Sequence, residues 1–185
     1  MLKRRLIPKL QMGLRQSFRG AQPVLVITRQ FGSRRAIGDP LCQAKIYEAQ
    51  LADELILLDL ERSQESWPLL LSTVEAVADA LATPLAVGGG LHSFEQVQAL
   101  LDRGADKVVL NSAALEQPDL IDRVAGAYGA QCVVLSLDAR SLAGGGWRVW
   151  SSGGQVDTGR DALQWASEVV QRGAGEVLAT AIERD

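Results

Sequence analysis

Pro84-Leu85-Ala86-Val87-Gly88-Gly89-Gly90, followed at once by Ser93-Phe94-Glu95-Gln96, decides how the rest of the chain is read. An apolar, strand-like run ends in three glycines, and a helix start comes next. Bare backbone at the carboxyl end of a strand, running into a helix amino terminus, suits a phosphate. Glycines let the main chain come close to an anion and take up positive φ. The same triplet also fits a tight βα turn that holds no ligand.

Outward from that stretch the chain alternates between two patterns. Strands are predicted over Arg4–Gln11, Glu54–Leu60, Pro84–Val87, Lys107–Asn111, Cys132–Asp138 and Glu176–Ile182. Helical spacing fills most of the gaps: Pro40–Ala52, Trp67–Leu81 (with Leu70, Val74, Val77 and Leu81 in step), Ser93–Arg103, Pro118–Tyr128 and Asp161–Arg172. Continuous apolar strands imply cover on both faces, so the sheet is expected to be parallel. Three joints repeat a phrase at the helix-to-strand crossing: Leu51-Ala52-Asp53-Glu54, Gly104-Ala105-Asp106-Lys107 and Gly173-Ala174-Gly175-Glu176. The glycines suit a left-handed helix exit.

Such a βα rhythm builds either an open doubly wound sheet or a closed (β/α)₈ barrel. The strand ends favour the barrel. Arg5, Glu54, Lys107 and Glu176 open four different strands with alternating sign. On a closed barrel they converge at one mouth; otherwise they are four unrelated surface charges. At the opposite ends stand Gln11, Asp59, Gly88 to Gly90, Asn111 with Ser112, Asp138 and Asp185, where barrel enzymes keep their chemistry. A segment interrupts the rhythm: Gly144-Gly145-Gly146-Trp147-Arg148-Val149-Trp150 and Ser151-Ser152-Gly153-Gly154 read as an inserted β-hairpin. Trp147 and Trp150 are candidates for a substrate lid, or simply pin a loop.

The chain has 185 residues, a net charge of −3 and 47% hydrophobic residues, as a soluble domain with a substantial core would. Two cysteines, Cys42 and Cys132, make no disulfide scaffold, and a single histidine, His92, builds no histidine-rich zinc site. No metal or cofactor is expected. No apolar run approaches the roughly 18 residues of a membrane span. The basic start (Lys3, Arg4, Arg5) lacks the apolar segment of a signal peptide, which predicts a cytoplasmic protein. Nine Lys and Arg precede the first acidic residue, Asp39. A nucleic-acid arm, a transit peptide and a phosphate-facing end of a folded domain all fit that bias; the strand-like pieces within it and the acidic balance of the whole chain favour the last. No nucleic-acid partner is expected.

Together these pieces resemble the cyclase subunit of imidazole glycerol phosphate synthase, a (β/α)₈ barrel family of histidine biosynthesis. The matching phrases are Arg4-Arg5-Leu6-Ile7-Pro8, Gly38-Asp39-Pro40, Asp53 to Asp59, Val87 to Gly90, Gly104 to Val108, Asn111-Ser112-Ala113-Ala114 and Gly173 to Glu176. The resemblance runs over nearly the whole chain and keeps the motif order. It implies a glutaminase subunit as heterodimeric partner at the barrel bottom, and ammonia passing through the core to a phosphorylated small-molecule substrate at the top. It also implies an ammonia gate of Arg5, Glu54, Lys107 and Glu176, and a phosphate site of Gly88, Gly89, Gly90, Asn111 and Ser112. Lyase and cyclisation chemistry would rest on two strand-end aspartates.

This chain departs from the pattern in three places. Asp138 matches the fifth-strand aspartate, but the first-strand position holds Gln11, and an amide cannot exchange a proton at neutral pH. Asp59 is then the other acidic group at that end. Alternation puts Lys9 on the face of Arg5 and Gln11, unless a bulge turns it outward. Six strands are read where a full barrel has eight, so residues 1–185 are expected to form a single barrel domain cut after its sixth strand, a fragment or a piece closed by a partner. The missing aspartate opens a second reading. Diverged relatives of this barrel lack it too. They pair with a glutaminase and pass ammonia to a separate sugar amidotransferase in lipopolysaccharide-type surface polysaccharide synthesis, so that the barrel is a conduit and docking module.

Overall fold

A computed structural model describes residues 4–29 and 32–184; Lys3 and Asp185, singled out above, lie outside them. The chain divides into two compact units. One holds residues 4–27, 35–91 and 95–108, the other residues 28–29, 32–34, 92–94 and 109–184.

The first unit carries strands β1 (Lys9–Ser17), β2 (Gly20–Thr28), β3 (Arg34–Gly38), β4 (Leu55–Asp59), β5 (Leu85–Gly88) and the start of β6 (Lys107–Leu110), in the order β3-β2-β1-β4-β5-β6. β1, β4 and β5 are parallel, with Lys9 level with Ile56 and Leu57 level with Val87. Helices α1 (Pro40–Ala49), α2 (Ser66–Ala80) and α3 (Phe94–Leu101) fall where the spacing places them. Asp39 caps α1 by accepting the amide of Cys42 at 2.8 Å, ahead of Pro40, whose missing N–H costs nothing in the first turn. Leu70, Val74 and Val77 form the buried stripe of α2.

The start of the chain corrects the sequence reading. The strand expected over Arg4–Gln11 begins at Lys9 and runs on to Ser17, where it turns at Phe18-Arg19-Gly20 into antiparallel β2. Residues before Lys9 still lie along β4, through Asp53 N to Leu6 O (3.0 Å) and Ile56 N to Pro8 O (3.0 Å). Pro8 has no N–H, so the ladder is incomplete there. No bulge interrupts Lys9 to Met12 against Ile56 to Asp59, so Lys9 shares the face of Gln11, half-buried.

The second unit carries helices α4 (Ser112–Glu116), α5 (Asp119–Tyr128) and α6 (Ala162–Gln171), with strands β7 (Val133–Ser141), β8 (Trp147–Ser151), β9 (Val156–Asp161) and β10 (Glu176–Ala181). β10 is parallel to β7, and β7, β8 and β9 form an antiparallel meander. The inserted hairpin is therefore real, and it continues β7 itself. β10 departs from the expected two-sided burial: Val177 and Ala179 are exposed.

The three repeated joints share one geometry. Leu51, Gly104 and Gly173 all take positive φ (62°, 94° and 109°), so the first joint achieves the left-handed exit without glycine. The third residue of each phrase then donates its amide to the strand before it: Asp53 to Leu6, Asp106 to Leu85 and Gly175 to Val133, at 2.9–3.0 Å. The two aspartates also accept the amide of the same residue, at 2.8 Å each. At the third joint a Cβ on Gly175 would meet the Ala130 carbonyl, which excludes an aspartate there.

Candidate functional site

At the amino-terminal ends of the strands in the first unit, three of the four predicted charges meet. Glu54 Oε2 accepts from Arg5 Nη1 at 2.8 Å and from Lys107 Nζ at 2.7 Å. The carboxylate side chain is 3% exposed, the lysine 15% and the arginine 40%. A carboxylate this deep persists only because two cations share it. Glu176 belongs to the other unit, half-buried at the start of β10 and level with Val134.

At the carboxyl ends of the same unit, Gln11 is buried and level with Leu58 of β4. Side chains level with one another on parallel strands share a face, and faces alternate along the strand. Gln11 therefore lies on the face of Leu58, Ile56 and Glu54. Four residues separate Glu54 from Leu58, so the charge cluster and the amide stand about 13 Å apart along one face.

Asp59, one step further, lies on the opposite face. It is 2% exposed, and its carboxylate accepts from Ser66 Oγ at 2.6 Å and from the Glu61 amide at 3.0 Å. Burial pushes its pKa up, against the lowering effect of those hydrogen bonds. These contacts fix the turn from β4 into α2.

The glycine triplet packs against that turn. Gly88 is the last residue of β5, while Gly89 takes φ 102° and Gly90 φ 69°. A Cβ on Gly89 would strike the Asp59 carbonyl, and one on Gly90 would lie 2.9 Å from Arg62 Cα. Close approach of two backbones therefore requires these glycines whether or not an anion binds.

Glu61 is a residue the sequence reading missed. Its Oε1 accepts the amide of Leu14 at 3.2 Å, carrying the β1–β4 ladder one rung beyond its end. Gly13 makes room: a Cβ there would sit 3.1 Å from Val26 and 3.2 Å from the Glu61 carboxylate. No spacing rule reveals such a clamp, because its partners are 47 residues apart.

In the second unit Asp138 is buried at 6% exposure. Asn111 Nδ2 donates to Asp138 Oδ2 at 2.8 Å and lies 3.4 Å from Ser136 Oγ. Thr180 of β10 is level with Asp138 on one side, and Trp150 of β8 is paired with it in antiparallel register. Ser112 Oγ accepts the amide of Ser152 at 3.1 Å, which ties the β8 turn to the start of α4. Arg140 lies over Trp150, 4.2 Å from the ring centroid, and donates to the Gly154 carbonyl at 3.2 Å. The second unit thus brings Asn111, Ser112 and Asp138 together. Among the described residues no group of three or more His, Cys, Asp and Glu could hold a metal ion, and no helix is long and apolar enough to cross a membrane.

Parallel β/α units with polar side chains gathered at strand ends define an α/β protein of the (β/α)₈ TIM-barrel type. Residues 17–185 match the sequence profile described as "Histidine biosynthesis protein". A putative imidazole glycerol phosphate synthase subunit hisF2 from Prochlorococcus marinus (strain MIT 9313) is 60% identical over the whole chain, which covers 71% of that relative. Imidazole glycerol phosphate synthase subunits HisF from Caulobacter vibrioides and Gluconacetobacter diazotrophicus are 44% and 43% identical, again over the whole chain and 68% and 69% of their own lengths. The chain belongs to the family of cyclase (HisF) subunits of imidazole glycerol phosphate synthase.

Proposed function

We propose that this chain is a barrel subunit that receives ammonia from a partner glutaminase at the Arg5–Glu54–Lys107 end and delivers it to a phosphorylated substrate at the opposite strand ends. The observation that carries this reading is the buried Glu54 carboxylate shared by two cations. An ion cluster at a strand mouth costs desolvation that an apolar plug would not, so a role in controlling passage accounts for it better than stability does. Asp138, oriented by Asn111, is the proton-transfer group at the substrate end; Gly88 to Gly90 in the first unit, and Asn111 with Ser112 in the second, are each phosphate-binding candidates. Asp59 works through the loop it braces, as a positioning residue. The protein acts in the cytoplasm, in a heterodimer, without nucleic acid or metal.

Gln11 favours a second reading. Loss of one acid–base group costs about 10²–10⁴ in rate. In a barrel that no longer cyclises, the same gate serves a conduit that docks a glutaminase and feeds a separate sugar amidotransferase.

The test supplies ammonia and the phosphoribulosyl substrate to the protein and to the Gln11→Asp variant. Cyclised product at a rate typical of the family supports the first reading and removes the second. No product from the protein, with turnover gained in Gln11→Asp, supports the conduit. In either case Lys107→Ala must alter glutamine-dependent coupling in the glutaminase complex; unchanged coupling sinks the gate.

A further inference from the structure

Among the described residues, β3 (Arg34–Gly38) ends the sheet on one side and is bonded to β2 alone. All five of its residues are exposed. An edge strand of this kind turns a row of backbone N–H and C=O groups outward, where another chain can pair with them. Its side chains alternate, with Arg35 and Ile37 on one face and Arg34 and Ala36 on the other. Ile37 is 53% exposed, and Ile27 of the neighbouring β2 is 49% exposed.

Charge selects what can add there. Nine Lys and Arg and no acid precede Asp39, whereas acids outnumber bases by twelve from Asp39 onward. Arginines on an edge turn away strands of like charge and admit acidic ones. A second copy pairing through the same strand would crowd four arginines into one short ladder. The strand at the other end of the sheet path, β9, has acids that are already engaged: Asp157 meets Arg148 at 3.4 Å, and Asp161 accepts the amides of Leu163 and Gln164 at 2.9 and 3.0 Å. A nucleic acid would meet the arginines through its phosphates and leave the strand edge and Ile37 unanswered. An extended protein segment answers all of these features, with acids opposite the arginines and apolar side chains opposite Ala36 and Ile37.

We infer that the outer edge of β3 is a docking strand, to which a partner protein adds an acidic, partly apolar segment as a further strand. Backbone hydrogen bonds supply the attachment, and Arg34 and Arg35 select for carboxylates. This goes beyond the function proposed above, and its test needs neither turnover nor a glutaminase.

The peptide Asp-Asp-Val-Val-Asp-Asp reads the same in both directions, so it matches β3 in a parallel or an antiparallel ladder. It is titrated against isotopically labelled protein, and the amide shifts are followed by NMR. The shifts should centre on Arg34–Gly38. Asn-Asn-Val-Val-Asn-Asn should bind about fivefold more weakly, the worth of two exposed ion pairs. The acidic peptide N-methylated along its backbone should lose at least about tenfold. Arg35→Glu should weaken the acidic peptide and bind Lys-Lys-Val-Val-Lys-Lys more tightly than the parent does; that gain also shows that the variant is folded. Shifts centred elsewhere, equal binding of the asparagine peptide, or binding that survives N-methylation overturn the inference. So does displacement of the peptide by an oligothymidylate, or a light-scattering mass that rises with protein concentration, because each gives the edge a different occupant. Absence of cyclase turnover bears on the proposed function alone.

Discussion

Glu54 is the place to test the energetics. Its Oε2 is 2.8 Å from Arg5 and 2.7 Å from Lys107, and its side chain is 3% exposed. At an effective dielectric of about 20, each pair contributes roughly 6 kcal/mol of gross attraction, most of which offsets the cost of taking three charges from water. What survives is read by removing one partner at a time. Glu54→Gln removes the carboxylate that both cations share, and its cost should be about 3–4 kcal/mol, within the range for breaking a buried pair. Lys107→Met leaves Glu54 with a single, 40% exposed partner and should cost about 2 kcal/mol. Arg5→Ala removes the solvent-screened arm and should cost under about 1 kcal/mol. Urea unfolding with unchanged slopes gives these differences. The double variant Glu54→Gln with Lys107→Met should recover at least about 1 kcal/mol of the summed losses. Additive losses, or an Arg5→Ala cost equal to that of Lys107→Met, would refute the reasoning that burial sets the strength of this cluster.

Three further outcomes follow from particular contacts. The native pKa of Asp59 is raised above its unfolded value of about 3.9, so its contribution is present below that value and lost as pH rises through the raised native value; unfolding titrations should show Asp59→Asn gaining stability relative to the parent across that interval, and parallel curves would refute the burial argument. Gly89→Ala drives a Cβ into the Asp59 carbonyl at φ 102° and should cost more than about 3 kcal/mol or prevent folding, whereas Gly144→Ala, with nothing within 4 Å, should melt within a degree or two of the parent. Glu61→Ala strips the acceptor from the Leu14 amide and should cost about 1–2 kcal/mol, with faster hydrogen exchange at Leu14; exchange that does not change would mean that the clamp is idle.

Much of the fold was readable in advance because helix and strand periods are local. The stripe of Leu70, Val74 and Val77 needs only its own spacing to declare a helix. The joint phrases announced the crossings, and Asp53 and Asp106 do the same work in two of them. The first strand was misplaced because its far half runs from Gly13 through polar Arg15 and Gln16. Its strand character comes from pairing with β2, and pairing is a property of two segments.

The site divides along the same line. Residue chemistry alone showed that Gln11 cannot transfer a proton, and the pattern of sign picked out Arg5, Glu54 and Lys107 before any geometry was known. Asp59 read as an acidic group at the carboxyl strand ends; strand parity sets it on the face opposite Gln11, where it also bonds Ser66. The triplet read either as a phosphate cradle or as a tight turn, and the approach of Asp59 and Arg62 demands glycine at 89 and 90 in both cases. Sequence fixes which groups can carry charge, donate or bend, since these belong to single residues. Whether a carboxylate is shared, a donor left unmet or a side chain turned away depends on neighbours dozens of positions distant, and only packing the chain decides that.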